Sequence, residues 1–260
     1  MPTRRSLLDR LLKHLVPRPV AEFAPDPREI DSGLWVLDRQ ICFTGGLRLP
    51  TRATIVRLGG GGLVVIAPPP VLGSRTLEAL ASFGPVEHVV VPNTFHYVYA
   101  AEFMARYPDA DLFVAPGLSE RVPELPPALE LAASAPEVWA GELEIAVLGP
   151  VRGISEVVFF HLPSGTLVLT DLAFNTTDFE RFLDRLIARL AGLPAGFAPG
   201  RTSRRLLLRD HALASRCLTR VSQWPIQRII MAHGEIIERD AKAQFLVAFA
   251  AYVDDGELLQ

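Results

Sequence analysis

The sequence predicts an α/β fold in four layers: an αββα sandwich of two face-to-face β-sheets with helices outside, preceded by an extra N-terminal amphipathic helix. Three observations lead there. Strand patterns open the domain, strands then alternate with helices, and strands followed by a second α/β run return without a sequence repeat. Polar residues stand just after three of the strands, where the sites of α/β layers collect. Hydrophobic residues make up 49% of 260, enough for one large core, which can extend to roughly 250–300 residues.

The elements follow in order. Leu7, Leu8, Leu11, Leu12 and Leu15 recur at helical spacing among Arg4, Arg5, Asp9, Arg10 and Lys13, and Pro17 and Pro19 end that helix. Residues 1–29 are this helix and a Pro-rich linker from Pro17 to Arg28; residues 30–260 are the domain. Leu34 to Leu37 and Ile41 to Thr44 read as a hairpin, followed by strands at Thr54 to Leu58 and Leu63 to Ile66 around the turn Gly59 to Gly62. Ser74 to Phe83 has helical spacing with Ser74 as N-cap, His88 to Val91 is a strand, Tyr97 to Arg106 a helix and Leu112 to Ala115 a strand. Pro116 to Pro136 reads as loop. Strands return at Leu143 to Leu148, Glu156 to Phe160 and Thr166 to Thr170, the last two joined by the turn Pro163-Ser164-Gly165. Phe179 to Leu190 is an amphipathic helix and Ala191 to Ser203, rich in Gly and Pro, a loop. A helix from Asp210 to Val221, a strand at Arg228 to Met231 and a helix from Arg239 to Val253 complete the chain.

Composition removes several classes of function. Lys plus Arg number 26 against 29 Asp plus Glu, a net charge of −3, which gives no strong attraction to nucleic acid or an anionic membrane. Cys42 and Cys217 lie far apart without CxxC spacing, so neither a disulfide scaffold nor a thiolate zinc site is expected. The uncharged run Leu58 to Gly73 is broken by glycines and prolines and is shorter than the roughly 18 residues of a membrane span. Thr3-Arg4-Arg5-Ser6-Leu7-Leu8 echoes a twin-arginine signal, but Asp9, Arg10, Lys13 and His14 interrupt its apolar core. A cytoplasmic protein is expected. Lys13 and Lys242 are the only lysines, a bias of GC-rich, often bacterial, genomes. Gly59 to Gly62 lacks the Lys-Ser/Thr of a phosphate loop, and no G-x-S-x-G elbow is present.

The chemistry gathers at three strand ends. His88 to Val91 runs into Asn93, His96 and Tyr97; Thr166 to Thr170 ends in Asp171, with Asn175 beyond; Arg228 to Met231 ends in His233-Gly234-Glu235. Two imidazoles and a carboxylate are suitable ligands for zinc or non-haem iron. The same residues also have structural uses: Asp171 can accept backbone N–H groups after its strand, His96 can cap a helix, and His233 can be a satisfied loop histidine. His161, beside a hairpin turn, reads as a surface or core-edge residue rather than a ligand. Arg201, Arg204, Arg205 and Arg209 read as a solvated helix face.

These residues resemble the metallo-β-lactamase superfamily over about residues 30 to 255. Asp171 after Thr166 to Thr170 is similar to the superfamily's metal-bridging aspartate, Ala232-His233-Gly234 resembles its last metal histidine, and Val91 to His96 lies where it carries a His-x-His-x-Asp-His motif. Pro92-Asn93 with His96, Phe160 to Leu167, Asp171 to Asn175 and Ala232 to Glu235 are similar to a family of metallo-β-lactamase-like proteins of unknown function. The resemblance implies the sandwich but no activity. Laid on the motif, the first two histidines become Asn93 and Phe95, its aspartate and last histidine become Tyr97 and Val98, and the mid-chain histidine falls near Arg152. Two ions need about six protein ligands, and three candidates remain.

Two readings of function follow. The ligand losses favour a non-catalytic or small-molecule-binding descendant, in which Asn93, Tyr97, Asn175 and the trio form a polar network and no cofactor is bound. The alternative is a mononuclear zinc or iron hydrolase or oxidoreductase held by His96, Asp171 and His233, with Asp171, His233 and Glu235 as its catalytic residues and Glu235 or Tyr97 as proton donor. The expected partner is a small molecule. A homo-oligomer or partner contact would form through the N-terminal helix.

Overall fold

Alternating apolar residues pair into two large sheets and a short ribbon in the computed structural model, which describes residues 17–20, 26–43, 46–70, 73–177, 179 and 181–253. The first sheet comprises β1 (Arg18–Pro19), β2 (Arg28–Asp31), β3 (Leu34–Cys42), β4 (Arg48–Arg57), β5 (Leu63–Ile66), β6 (Val86–Val91), β7 (Asp111–Val114) and β8 (Leu129–Glu130). Its pairing is antiparallel from β3 to β5 and parallel from β5 to β8. The helices α1 (Ser74–Phe83) and α2 (Ala100–Arg106) make the crossovers around β6 that parallel pairing requires, and the short α3 (Leu118–Arg121) follows β7.

The second sheet has the order β14-β11-β10-β9, from β9 (Leu143–Val151), β10 (Ile154–His161), β11 (Thr166–Leu169) and β14 (Arg228–Met231). The ribbon pairs β12 (Phe174–Asn175) with β13 (Phe197–Ala198). The helices α4 (Phe182–Ala191), α5 (Arg201–Leu206), α6 (His211–Gln223) and α7 (Ala241–Ala248) complete the chain.

The alternation of side chains along the strands explains the layers. Val157 and Phe159 of β10 point into the core between the sheets, against Val36, Val56, Ile66 and Val90 of the first sheet. Val158 and Phe160, one residue on, point the other way onto Leu218 and Val221 of α6 and Phe245 of α7. On the far side of the first sheet, Val65, Val89 and Val91 meet Leu80 of α1 and Phe103 of α2. The result is the αββα order that the sequence predicts. Among the described residues no helix is long and apolar enough to cross a membrane. The expected helix over Leu7 to Leu15 lies outside the described residues.

Several expectations are corrected. In place of the hairpin expected at 34–44, Leu34–Cys42 is one continuous strand, β3, because its polar middle is partnered in place. Asp38 pairs with Arg52 across the sheet at 2.6 Å, and buried Arg39 donates from Nη2 to Thr76 Oγ1 at 2.8 Å. The linker at 17–28 contributes strand β1, paired on Ile41 and Cys42. Gly73, not Ser74, is the N-cap of α1, and the second helix starts at Ala100 after a run of turns instead of at Tyr97. Pro116 to Pro136 contains α3 and β8, and the loop expected at 191–203 contains β13 and the start of α5. The last helix stops at Ala248. His161 is 1% exposed, and its Nδ1 lies 2.7 Å from Ser164 Oγ, so it is a buried member of the hairpin turn.

Candidate metal centre

The site forms where the two sheets bring their strand ends together. The turn after β6 carries Asn93 and His96, the residue after Thr170 at the end of β11 is Asp171, and the turn after β14 carries His233. Because β11 and β14 are adjacent parallel strands in register, their ends are neighbours. The β6 end joins them through bridging between Asn93 and Glu156 of β10. Three segments far apart in sequence thus meet without any local motif of fixed spacing.

Asn93 organises the first segment. Its Oδ1 accepts the backbone N–H groups of Phe95 and His96, each at 2.8 Å, which bends the chain so that His96 faces inward. Its Nδ2 donates to Asp171 Oδ2 at 2.7 Å and to Thr170 Oγ1 at 2.9 Å. Glu156, fully buried, accepts the backbone N–H groups of Thr170, Asp171 and Leu172 at 2.9–3.0 Å and so fixes the turn that presents Asp171. Burial and the nearby Asp171 carboxylate raise the Glu156 pKa, against the backbone N–H bonds. Burial also works to raise the Asp171 pKa, but the charge of His96 and hydrogen bonds from His233 and His96 prevail and hold it well below the usual carboxylate range.

His233 is fixed from two sides. Its ring stacks on Phe174, with centroids 5.4 Å apart and planes 10° apart, and its Nδ1 lies 2.6 Å from the Pro50 carbonyl. A carbonyl only accepts, so Nδ1 carries a proton, and Nε2 is the nitrogen that faces Asp171 and the site. Arg52 holds the loop behind it. The guanidinium donates from Nη1 to the carbonyls of Met231 and Gly234 at 2.9 and 2.8 Å while Nε bonds Asp38. Gly234 has φ +107°, and a Cβ there would stand 2.1 Å from the Asn175 carbonyl oxygen. Only glycine lets the loop close this tightly on β12.

The donor atoms converge. His96 Nε2 lies 3.4 Å from Asp171 Oδ2, His233 Nε2 lies 3.3 Å from Asp171 Oδ1, and the two Nε2 atoms are 3.3 Å apart. A tetrahedral ion with ligand bonds of about 2.0–2.1 Å holds its donors about 3.3–3.4 Å apart. Lone pairs that face one another this closely need a proton or a cation shared among them, and Asp171 supplies the negative charge for either. The chemistry of the donors, one atom from each residue within 4.8 Å of the others, fits a group that could hold one metal ion. Among the described residues, this is the group of His, Cys, Asp and Glu side chains close enough to hold one.

The trio faces a cleft of about 800 Å³. Its walls are mainly apolar, among them Ile41, Leu49, Phe95, Val98, Leu193 and Leu207, and Tyr97 stands in the lining. Glu235 and Asn175 lie elsewhere. The Glu235 side chain is exposed, and the Asn175 Nδ2 donates to the Glu235 carbonyl at 2.9 Å, so the two join β12 to the His233 loop rather than lining the cleft. The sequence pattern did not single out Glu156, Arg52 or the Pro50 carbonyl. Glu156 had a readable signal, a lone charge in the otherwise uncharged run Ile154 to Phe160; a backbone carbonyl has none.

Comparison with known proteins places this geometry in context. The model of a domain of unknown function (DUF4336) matches residues 31–180. No curated protein matches the sequence. Solved structures do. A metallo-β-lactamase from Pontibacter korlensis is 15% identical with a TM-score of 0.58, over 87% of this chain and 99% of its own. The metallo-β-lactamase FIM-1 from Pseudomonas aeruginosa, in its mono-zinc form, is 14% identical with a TM-score of 0.56, over 92% and 99%. The metal-soaked Flv1 flavodiiron core from Synechocystis sp. PCC6803 is 10% identical with a TM-score of 0.59, over 88% of this chain and 60% of its own. At these identities the likeness is one of fold, and that fold is the metallo-β-lactamase fold.

Proposed function

The chain belongs to the DUF4336 family, and from that premise we propose that it binds one zinc or iron ion through His96, Asp171 and His233 and acts as a hydrolase-like enzyme on a small molecule with an apolar body. The observation that carries this reading is the convergence of the three side chains: the two Nε2 atoms lie 3.3 Å apart, each lies 3.3–3.4 Å from a different oxygen of Asp171, and one donor atom from each residue falls within 4.8 Å of the others. That one neighbour of this fold is described in a mono-zinc form makes a one-ion site of this architecture reasonable. Three protein ligands are the number of a catalytic rather than a structural zinc site, and two histidines with a carboxylate also suit iron(II). When bound, such an ion supplies Lewis acidity and a water of lowered pKa. The chain's own residues do the rest. Pro50 and Phe174 orient His233, Asn93 and Glu156 orient Asp171, and the apolar walls bind the body of the substrate and exclude bulk water from its reacting end. Tyr97, in the cleft lining, is the proposed proton donor in place of the outlying Glu235.

The second reading is a binding protein without chemistry, and one observation favours it. Asn93 already gives Asp171 a short hydrogen bond, so a proton shared among the trio would complete a stable network. Metal content by mass spectrometry separates the two. The chain is purified without chelator, then loaded with zinc or with iron(II). Near one ion per chain, lost in His233→Ala and in Asp171→Ala but kept in His161→Ala, is the expected result. No ion after either loading sinks the enzyme reading and leaves the binding one.

A further inference from the structure

A second feature of the molecule has no part in the metal site. The helix α4 shows its apolar side to the outside: Phe182, Leu183, Leu186 and Leu190 are 78%, 48%, 44% and 68% exposed. Half of the eight large hydrophobic residues exposed among the described residues lie on this one helix, so the pattern is not the ordinary scatter of surface leucines. At about 100° per residue, these four occupy an arc of about 100°, Arg185 and Arg189 occupy the next 60° or so, and Arg181 is the extended residue that precedes the first turn. All three arginines are exposed. The remaining side faces inward, where Ile187 and Ala191 line the apolar cleft and Ala188 is buried. The single acid of the helix, Asp184, is 3% exposed and is taken up by the Arg48 backbone N–H at 3.1 Å and by Arg181 at 3.8 Å.

We propose that α4 is an interfacial helix that seats the protein on an anionic lipid surface. The charge selects this occupant. Among the described residues, the exposed side of α4 combines apolar bulk with positive charge alone, the complement of a bilayer that offers acyl chains beneath negative headgroups. A second copy of the chain would set arginine against arginine. The Leu-rich segment at the start of the sequence, outside the described residues, has the same sign, with Arg4, Arg5, Arg10 and Lys13 against Asp9. The net charge of −3, which argues against attraction to anionic membranes as a whole-chain average, does not apply to this face. The same helix is a wall of the cleft, so the lipid surface and the cleft lie on opposite sides of one element. The inference is independent of the metal reading.

The test is co-sedimentation of the full chain with vesicles of phosphatidylcholine alone and of phosphatidylcholine mixed with phosphatidylglycerol, at low and high salt. Binding to the mixed vesicles, weakened by salt, is expected. Each arginine near an anionic surface contributes about a five-fold gain in partitioning, so Arg185→Gln with Arg189→Gln weakens binding roughly 25-fold. Phe182→Ser with Leu186→Ser abolishes it. All four positions are exposed, and circular dichroism and the melting temperature of the variants stay at wild-type values. His233→Ala binds vesicles as the wild type does, which separates this outcome from the metal result. The proposal is overturned by absence of binding to mixed vesicles, by variants that bind as well as the wild type, or by light scattering that shows the α4 variants dissociating a dimer.

Discussion

Asn93→Asp is the most searching substitution in the site, because it keeps the shape and inverts one polarity. The side-chain Oδ1 still accepts from Phe95 and His96, so the turn survives. The donor to Asp171, now 2.7 Å from Oδ2, becomes a carboxylate oxygen, with Glu156 Oε2 a further 3.4 Å contact. Two like charges about 4 Å apart at an effective dielectric of 20 repel by about 4 kcal/mol. The alternative is to protonate the new carboxyl, which restores one hydrogen bond. From an ordinary carboxylate value of about 3.9, holding the proton at pH 7 costs about 3.1 pH units at 1.36 kcal/mol each, again about 4 kcal/mol. Both routes give the same figure at pH 7. The second adds a signature: the new group's folded pKa is raised, so its cost grows as pH rises and shrinks to about 1.5 kcal/mol at pH 5. Urea denaturation of wild type and variant, both with chelator, at pH 5, 6 and 7 reads the difference directly. A loss below about 1 kcal/mol at pH 7, or one that does not change with pH, would refute the reasoning. It would mean that the Asn93 amide group is turned the other way and does not hold Asp171.

Two further outcomes are expected from the surrounding structure. Gly234→Ala, where a Cβ would meet Asn175 at 2.1 Å in a left-handed φ, is expected to lower stability by about 2 kcal/mol or more and the melting temperature by about 5 °C, while Gly60→Ala, in open space, leaves it unchanged; equal melting of the two would show that the His233 loop is looser than described. His88 is 6% exposed between Phe113 and Trp139, its ring nitrogens lack hydrogen-bond partners, and burial lowers its pKa from the ordinary 6.5. The stability this gives is complete above pH 6.5 and is lost as pH falls toward the lowered folded value. The stability gap between wild type and His88→Leu should therefore move against the wild type by up to about 1.4 kcal/mol per pH unit below 6.5, and parallel curves from pH 7 to 5 would contradict it.

The layers were legible because core strands alternate and helices do not, and Asp171, His233 and His96 were legible because polar residues directly after apolar strands are where α/β sites form. Errors came where partners far along the chain decide local structure. Asp38-Arg39-Gln40 looks like a turn in isolation; Arg52 and Thr76, which keep it extended, are 14 and 37 residues away. Asn175 and Glu235 follow the right strands, yet their backbones zip to each other around Gly234 and take their side chains away from the cleft. The apolar outer side of α4 was visible as an amphipathic pattern, but a pattern does not say which side faces the protein.

The positions where the superfamily motif, laid on this sequence, would place its first two histidines are built into the structure. Asn93, in place of the first histidine, is 0% exposed and makes four hydrogen bonds of 2.7–2.9 Å that shape the His96 turn and orient Asp171. Phe95, in place of the second, packs on the core beneath α6 and α7. A histidine at 93 could not both accept two backbone N–H groups and donate to Asp171 and Thr170, so regaining a ligand there would cost the surviving ones their support. Next to Asp171, its amide neighbour, its backbone N–H and the Glu156 beneath it are all satisfied, while the buried Thr94 Oγ1 beside Asn93 has no hydrogen-bond partner. The residues at these positions hold the His96 turn and Asp171 in place. Donors held this firmly and this close together suit either occupant of the space between them, a metal ion or a shared proton.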